Sequence, residues 1–297
     1  MELHDLSLRD KGTFSEYLNF ASHKLSVYAF ENIYIWKALF EIKWAIIEGS
    51  LCVFFKDKIG AFLYLAPLAK KIKAGAVKEV FEILDKFNQN KEISRIENVE
   101  EGSLKFYEAL GLECVHKSSD YLCLRQELAE LSGDKFKSKR AGFNYFSKNY
   151  DFAYLVYRGE DKSGCLELYN LWARERSSNQ KDALYQWMLK DNLSALRLLL
   201  DNYRDLKCTG RIVKIGSKVK AFTFGFKLNQ ETFCILYEIT DLSIKGLAQF
   251  IFREFCRELK DYKYINIMDD SGLENLKRVK LSYHPVRLVP AYIVKRR

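Results

Sequence analysis

The 297-residue sequence has only three prolines and no Cys-x-x-Cys pair among its seven cysteines. So little proline excludes a collagen-like chain and Pro-rich linkers. Cys52, Cys114, Cys123, Cys165, Cys208, Cys234 and Cys256 are odd in number, and His4, His23, His116 and His284 are scattered. Zinc-finger spacing is therefore absent, and no metal is expected. Several cysteines sit in apolar stretches such as Leu51-Cys52-Val53-Phe54 and Phe233-Cys234-Ile235-Leu236. These read as buried thiols in a reducing cytoplasm. The longest apolar runs, 44–47 and 51–55, are broken by Glu48 and Lys56. Neither approaches the roughly 20 residues of a membrane span. The N-terminus lacks the basic end and apolar run of a signal peptide. The expectation is a cytoplasmic protein without a membrane span.

Hydrophobic residues make up 48% and charged residues 29%, enough to build a sizeable core. Lysine and arginine number 48 against 39 acidic residues, a net charge of +9. That balance favours anionic partners such as nucleic acid or a phosphate-bearing donor, although the charges are dispersed.

The periodicity predicts a short helix at 13–24, then strands at 41–48, 50–56 and 59–65, with tight turns at Gly49 and Gly60. A helix at 75–88, a strand at 93–96, a helix at 100–110 and a hairpin of 112–116 with 120–125 follow. The second half reads as a basic helix to about 149, a strand at 151–158 and helices at 164–176 and 182–201. Strands at 209–215, 219–228 and 232–240 come next, then a helix at 245–259, a strand at 264–268, a helix at 272–282 and a strand at 286–295. The order of the first half thus recurs: 48–62 aligns with 209–222, and each continues strand, helix, strand, helix, strand. The reading is an α/β (α+β) fold of two tandem GNAT-like (acyl-CoA N-acyltransferase) modules, each a mixed sheet flanked by helices. The predicted division is 1–128 and 129–297, the second module carrying the basic entry helix and a two-helix insertion. In such a module a phosphate-bearing donor sits at the N-terminus of the helix after the central strand. The candidate positions are 241–248, with Asp241, Lys245 and Gly246, and 66–76 in the first module. Neither has the superfamily's full glycine-rich loop.

Residues Ile265-Asn266-Ile267-Met268-Asp269-Asp270-Ser271-Gly272, continuing through Leu276, Lys280, Ser282, Tyr283 and Pro285, resemble the signature N-R-E-x-D-x-G…L-R-x-x-K-x-S-Y-x-P. That signature belongs to the phosphatidylglycerol lysyltransferase C-terminal family, long carried as a domain of unknown function. Residues 121–140 with Asn144 and Phe146 resemble its L-x-G-K-K-x-x-x-K-R-N-x-I-N-x-F block, and Ala221-Phe222-Thr223-Phe224-Gly225 with Tyr237-Glu238 resembles its A-F-x-x-G…H-x-E-K pair. Ile267, Met268, Ala141 and Ile239 stand where the family has Arg, Glu, Asn and Lys. The resemblance implies tandem GNAT modules related in architecture to the Fem peptidyltransferases, which move an amino acid from aminoacyl-tRNA to an amine. Lipid flipping, known for some relatives, is not expected, since no membrane-spanning half is read in the sequence.

Glu238, Tyr283 and Asn266 are the catalytic candidates. Glu238, at the end of an apolar strand, suits a general base or, equally, an ion pair. Lys280 and Tyr283, one helical turn apart, can bind an anion or stabilise an oxyanion, or simply pack together. Asn266 and Asp270 can orient an acceptor amine, but Asp270 also suits a helix N-cap. Lys135, Lys139, Arg140 and Asn144 on the basic helix are candidates for holding a tRNA or nucleotide phosphate, part of that cluster being solvated surface. The functional reading is acyl transfer from acyl-CoA or aminoacyl-tRNA to an amine or hydroxyl. The alternative is a ligand- or nucleic-acid-binding protein that keeps the fold without the chemistry.

Overall fold

The computed structural model describes residues 2–179 and 182–297. The chain opens with β1 (His4–Asp5), α1 (Lys11–Leu18) and α2 (Phe30–Ile35), followed by β2 (Glu41–Ile47), β3 (Ser50–Lys56) and β4 (Ala61–Leu63). Then come α3 (Ala74–Phe87), β5 (Arg95–Glu100), α4 (Leu104–Ala109) and β6 (Glu113–Leu124). Glu48 and Gly49 both have positive φ (47° and 81°), the turn whose twist matches a tight hairpin between β2 and β3. Along α3, Val77, Val80, Phe81 and Leu84 recur at helical spacing and are buried with Cys52, Phe54, Leu63 and Ile96.

The predicted strand at 93–96 starts later, because Lys91–Ile93 form a 3₁₀ turn and pairing begins at Arg95. The predicted hairpin over 112–125 is instead the single strand β6. No residue from Leu112 to Arg125 has the positive φ that a tight turn between two strands uses. Lys117, in the expected turn, donates to Glu97 Oε2 (2.7 Å) and Asn98 Oδ1 (2.9 Å).

After β6 come α5 (Arg125–Glu130), α6 (Lys137–Asn149), β7 (Ala153–Val156), α7 (Lys162–Asn179), α8 (Ala183–Asp201) and α9 (Tyr203–Leu206). The rest is β8 (Thr209–Ile215), β9 (Lys218–Lys227), β10 (Thr232–Thr240), α10 (Leu247–Glu258), β11 (Tyr264–Asn266), α11 (Glu274–Leu281) and β12 (Arg287–Lys295).

Two compact units result, and they are not consecutive halves. The first comprises the chain up to Asp120, Asp269–Leu273 and Leu288–Arg297. The second comprises Tyr121–Met268 and Glu274–Arg287. The predicted cut at 128/129 misses both the earlier boundary and the return of β12, which pairs antiparallel with β5 of the first unit. In the first unit the strand order is β1, β2, β3, β4, β5, β12 and residues 113–120 of β6. In the second it is residues 121–124 of β6, then β11, β10, β9, β8 and β7. Each unit holds a parallel pair, β4 with β5 in the first and β10 with β11 in the second.

Those parallel pairs decide where a site can form. In the first unit the pair meets only at Leu63 and Ile96, and the chain beyond is tied across. Asn98, at φ 53°, donates from Nδ2 to Tyr64 O (2.8 Å), and its own carbonyl accepts from Tyr28 Oη (2.8 Å). The Glu48 carboxylate also lies over the first turn of α3: a Cβ built on Gly75 would stand 2.1 Å from Glu48 Oε1. The first unit's wedge and helix N-terminus are thus filled by its own side chains.

Candidate active site

In the second unit β10 and β11 pair only at 232–234 with 264–266, after which β11 ends and β10 continues to Thr240. The carboxyl ends of the parallel strands therefore diverge, the usual location of a ligand site in an open α/β sheet. Strand β10 carries a register shift against β9 between Ile235 and Tyr237. An extra residue there reverses the alternation of side chains. Phe233 and Ile235 face a cluster that includes Phe252, Cys256 and Tyr283, and the bulge returns Glu238 rather than Tyr237 to that face. Tyr237 points the other way, its hydroxyl donating to Asn192 O on α8 (3.1 Å).

Among the described residues the Glu238 side chain has no hydrogen bond or ion pair. Its Oε2 is fully buried and unpartnered, although the residue as a whole keeps some exposure. Burial pushes its pKa up to about 8, against the opposing pull of Lys139 and Lys280. Lys280 is buried and donates to Ile267 O just beyond β11, and its ammonium stands 6.0 Å from the Tyr121 ring. Lys139, on the first turn of α6, lies 4.0 Å above the centroid of the Tyr283 ring. Burial lowers its pKa, with Glu238 pulling the other way. Tyr283 is buried against Phe252, ring centroids 4.4 Å apart, and burial raises its phenol. Asn266 is fully buried at the end of β11, where its Oδ1 accepts from Met268 N (2.7 Å).

The structure therefore brings Glu238, Lys139, Lys280 and Tyr283 together, with Asn266 at the end of the neighbouring strand. A base held partly neutral, a cation that can lose a proton and a fixed positive charge suit proton transfer coupled to acyl transfer.

Other sequence candidates stand elsewhere. Arg140 donates to Leu131 O and to Gly133 O (2.5 Å), stapling a loop in which Leu131 and Gly133 have φ of 53° and 80°. Lys135 is exposed and pairs with Glu127 Oε2 (2.7 Å), and Asn144 is exposed on α6. Asp241 pairs with Lys220 (2.7 Å) and accepts from Ser243 N (3.0 Å); burial works to raise its pKa, but these partners bring it below the ordinary value. Lys245 lies 4.6 Å over the Tyr145 ring. Asp270 belongs to the first unit, where its Oδ1 accepts from Gly272 N (3.0 Å). Replacing Arg140 by Ala is expected to destabilise the second unit by about 1 kcal/mol, since one part-buried and one exposed loop carbonyl lose a charged donor. Urea unfolding checks this; an unchanged midpoint would release Arg140 for a ligand role.

The N-terminus of α10, where a GNAT module holds a pyrophosphate, is covered by α6. Gly246 caps the helix at φ 85°, and a Cβ built on it would lie 2.1 Å from Gly142 O and 3.2 Å from Phe146 Cβ. Only a glycine fits between these backbones. The sequence makes Gly246 a candidate donor-binding position; in the structure it serves the close packing of α6 on α10.

Units of this kind, each a mixed sheet with one divergent parallel pair, have the fold of the tandem GNAT and Fem proteins. The chain belongs to the family described as phosphatidylglycerol lysyltransferase, C-terminal, whose profile matches residues 19–295. Among solved structures it is similar to a conserved protein of unknown function from Bacteroides thetaiotaomicron VPI-5482, with 27% identity, all of both chains covered and a TM-score of 0.89. L-PGS from Bacillus licheniformis shares 13% identity over 99% of this chain and 93% of that one, with a TM-score of 0.68. FemX shares 9% identity over 99% of this chain and 97% of that one, with a TM-score of 0.60. No curated protein matches the sequence. Among the described residues no helix is long and apolar enough to cross a membrane.

Proposed function

We propose that the protein transfers an aminoacyl group from aminoacyl-tRNA to an amine or hydroxyl acceptor in the divergent-strand wedge of the second unit. The observation that carries this reading is the covered N-terminus of α10. A CoA-type donor places its pyrophosphate on free backbone N–H groups there, and α6 packs against that end of α10, with Gly142 O and Phe146 Cβ beside Gly246. An aminoacyl ester of a ribose needs no pyrophosphate cradle. It needs a base near the attacking atom and a charge near the carbonyl oxygen. Glu238 is the base, Lys280 the fixed positive charge that favours the oxyanion, and Tyr283 and Asn266 shape the pocket between them. Membership of a family described as phosphatidylglycerol lysyltransferase, C-terminal, supports transfer of an aminoacyl group.

Thermal-shift and calorimetric binding to acetyl-CoA, longer acyl-CoAs, and charged or uncharged tRNA, at two salt concentrations, tests it. Stabilisation by charged over uncharged tRNA, with silence from every CoA ester, is expected. Binding of a CoA thioester would overturn the donor assignment.

A further inference from the structure

Two lysines face Glu238, and they are held differently. The Lys280 ammonium is anchored on Ile267 O. Lys139 makes no hydrogen bond and no ion pair among the described residues; its ammonium rests only on the face of Tyr283. Lys139 is half-buried, and an ammonium withdrawn from water without an acceptor is costly unless a ligand supplies one. Lys139 thus stands on the Tyr283 ring, on the face to which the bulge in β10 turns Glu238, and is not anchored to the backbone as Lys280 is.

Resting on the acyl-transfer reading, we propose that Lys139 is the proton donor to the leaving oxygen and shares its proton with Glu238, so that the pair resets itself each turnover. The acceptor X–H attacks the ester carbonyl and its proton passes to the Glu238 carboxylate as the C–X bond forms. The ester C–O bond then breaks. The leaving oxygen takes its bonding pair and a proton from the Lys139 ammonium. The products are the acylated acceptor, the ribose hydroxyl, protonated Glu238 and neutral Lys139. Transfer of one proton from Glu238 to Lys139 restores both groups, and no other reactant is consumed. Burial raises the carboxyl and lowers the ammonium, so the two affinities move toward each other, which eases that return step. Lysine suits the task because burial favours its neutral form, whereas a guanidinium stays charged.

Competitive labelling of the intact protein with trace acetic anhydride from pH 6 to 11, read by mass spectrometry at Lys139, tests the sharing without any substrate. Glu238→Gln removes the carboxylate that holds the Lys139 proton. Labelling of Lys139 at pH 8 should then rise several-fold, while an exposed control such as Lys78 does not change. Unchanged labelling at Lys139 overturns the proposal. The donor role is read with a bulk pool of radiolabelled aminoacyl-tRNA and hydroxylamine as the generic nucleophile. Lys139→Met should lose about 100-fold in transfer rate. Lys139→Arg, which keeps the charge, should lose nearly as much and should also lose the fall in rate at high pH. A Lys139→Arg protein with wild-type rate and pH profile would show a fixed charge and overturn the donor role. If the wild-type protein itself transfers nothing from charged tRNA, the aminoacyl-tRNA reading fails, and the labelling result still decides whether the pair shares a proton.

Discussion

Glu238→Gln should abolish most of the transfer activity and leave the protein at least as stable above pH 8. The rate should fall by about 10²- to 10⁴-fold, the usual contribution of a positioned general base. The wild-type rate should climb with pH and level off near 8, where the carboxyl ionises; the variant should show no such rise. The stability effect has the opposite sign. The folded protein holds the Glu238 proton more tightly than the unfolded chain, whose carboxyl titrates near 4.5. Stability therefore falls as pH rises from about 4.5 through about 8, because the folded state must give up a proton it favours. A glutamine of the same shape has no proton to lose, so that slope should be reduced in the variant. Above pH 8 it should be the more stable protein, by an amount on the order of a few kcal/mol. Thermal unfolding from pH 5 to 9 and transfer from charged tRNA over the same range measure both. If activity survives, the glutamate is no base; if the two melting profiles keep the same slope, its carboxyl is not held neutral by the fold.

That pairing of lost activity with gained stability is what distinguishes a functional buried carboxylate from a structural one. A structural carboxylate has partners, as Asp241 has in Lys220 and Ser243. Its removal would cost stability. Both aspartate and glutamate close the same strand in the sequence, and nothing in their spacing tells them apart. The difference comes from the bulge after Ile235, which turns Glu238 onto the face of α10 and Tyr283. A period-two reading of β10 puts Tyr237 on that face instead.

The order of elements was legible because hydrophobic period and turn chemistry agree locally. Gly49 and Gly216 close their hairpins, and β3 and β10 span the predicted 50–56 and 232–240. What was not legible depends on distant parts of the chain. Residues 117–119 look like a turn, yet they lie within β6, with Lys117 held by Glu97 and Asn98. The end of the chain returns to the first unit, and no local signal marks a strand that pairs with one nearly two hundred residues earlier. The basic cluster of α6 also reads as one anion site, whereas its members divide. Arg140 staples a loop, Lys135 pairs with Glu127, and Lys139 enters the pocket. Residue type announced the positive charge; only packing assigned it.

Gly246→Ala should be among the most damaging small substitutions in the second unit, and its size tests why a CoA donor is disfavoured. Two effects add at this position. The backbone is left-handed at φ 85°, which costs a residue with a Cβ about 1–2 kcal/mol. The new methyl would also meet Gly142 O at 2.1 Å, a backbone atom of a packed helix that cannot rotate aside. Relieving that contact requires α6 to move off α10, disturbing the stacking of Phe143 and Phe146 on Phe250. Together the two effects should cost about 3–5 kcal/mol, in the range seen when a core is overpacked at a special backbone position. Gly216→Ala is the internal control. It has a positive φ of 58° but nothing within 4 Å of a built Cβ, so it bears the strain alone, about 1 kcal/mol. Urea midpoints of the two variants separate packing from strain. A Gly246→Ala shift several times that of Gly216→Ala places α6 across the first turn of α10 in solution, where a pyrophosphate would otherwise sit. Equal shifts would mean that this helix N-terminus is open, and acetyl-CoA would return as a donor on the same footing as charged tRNA.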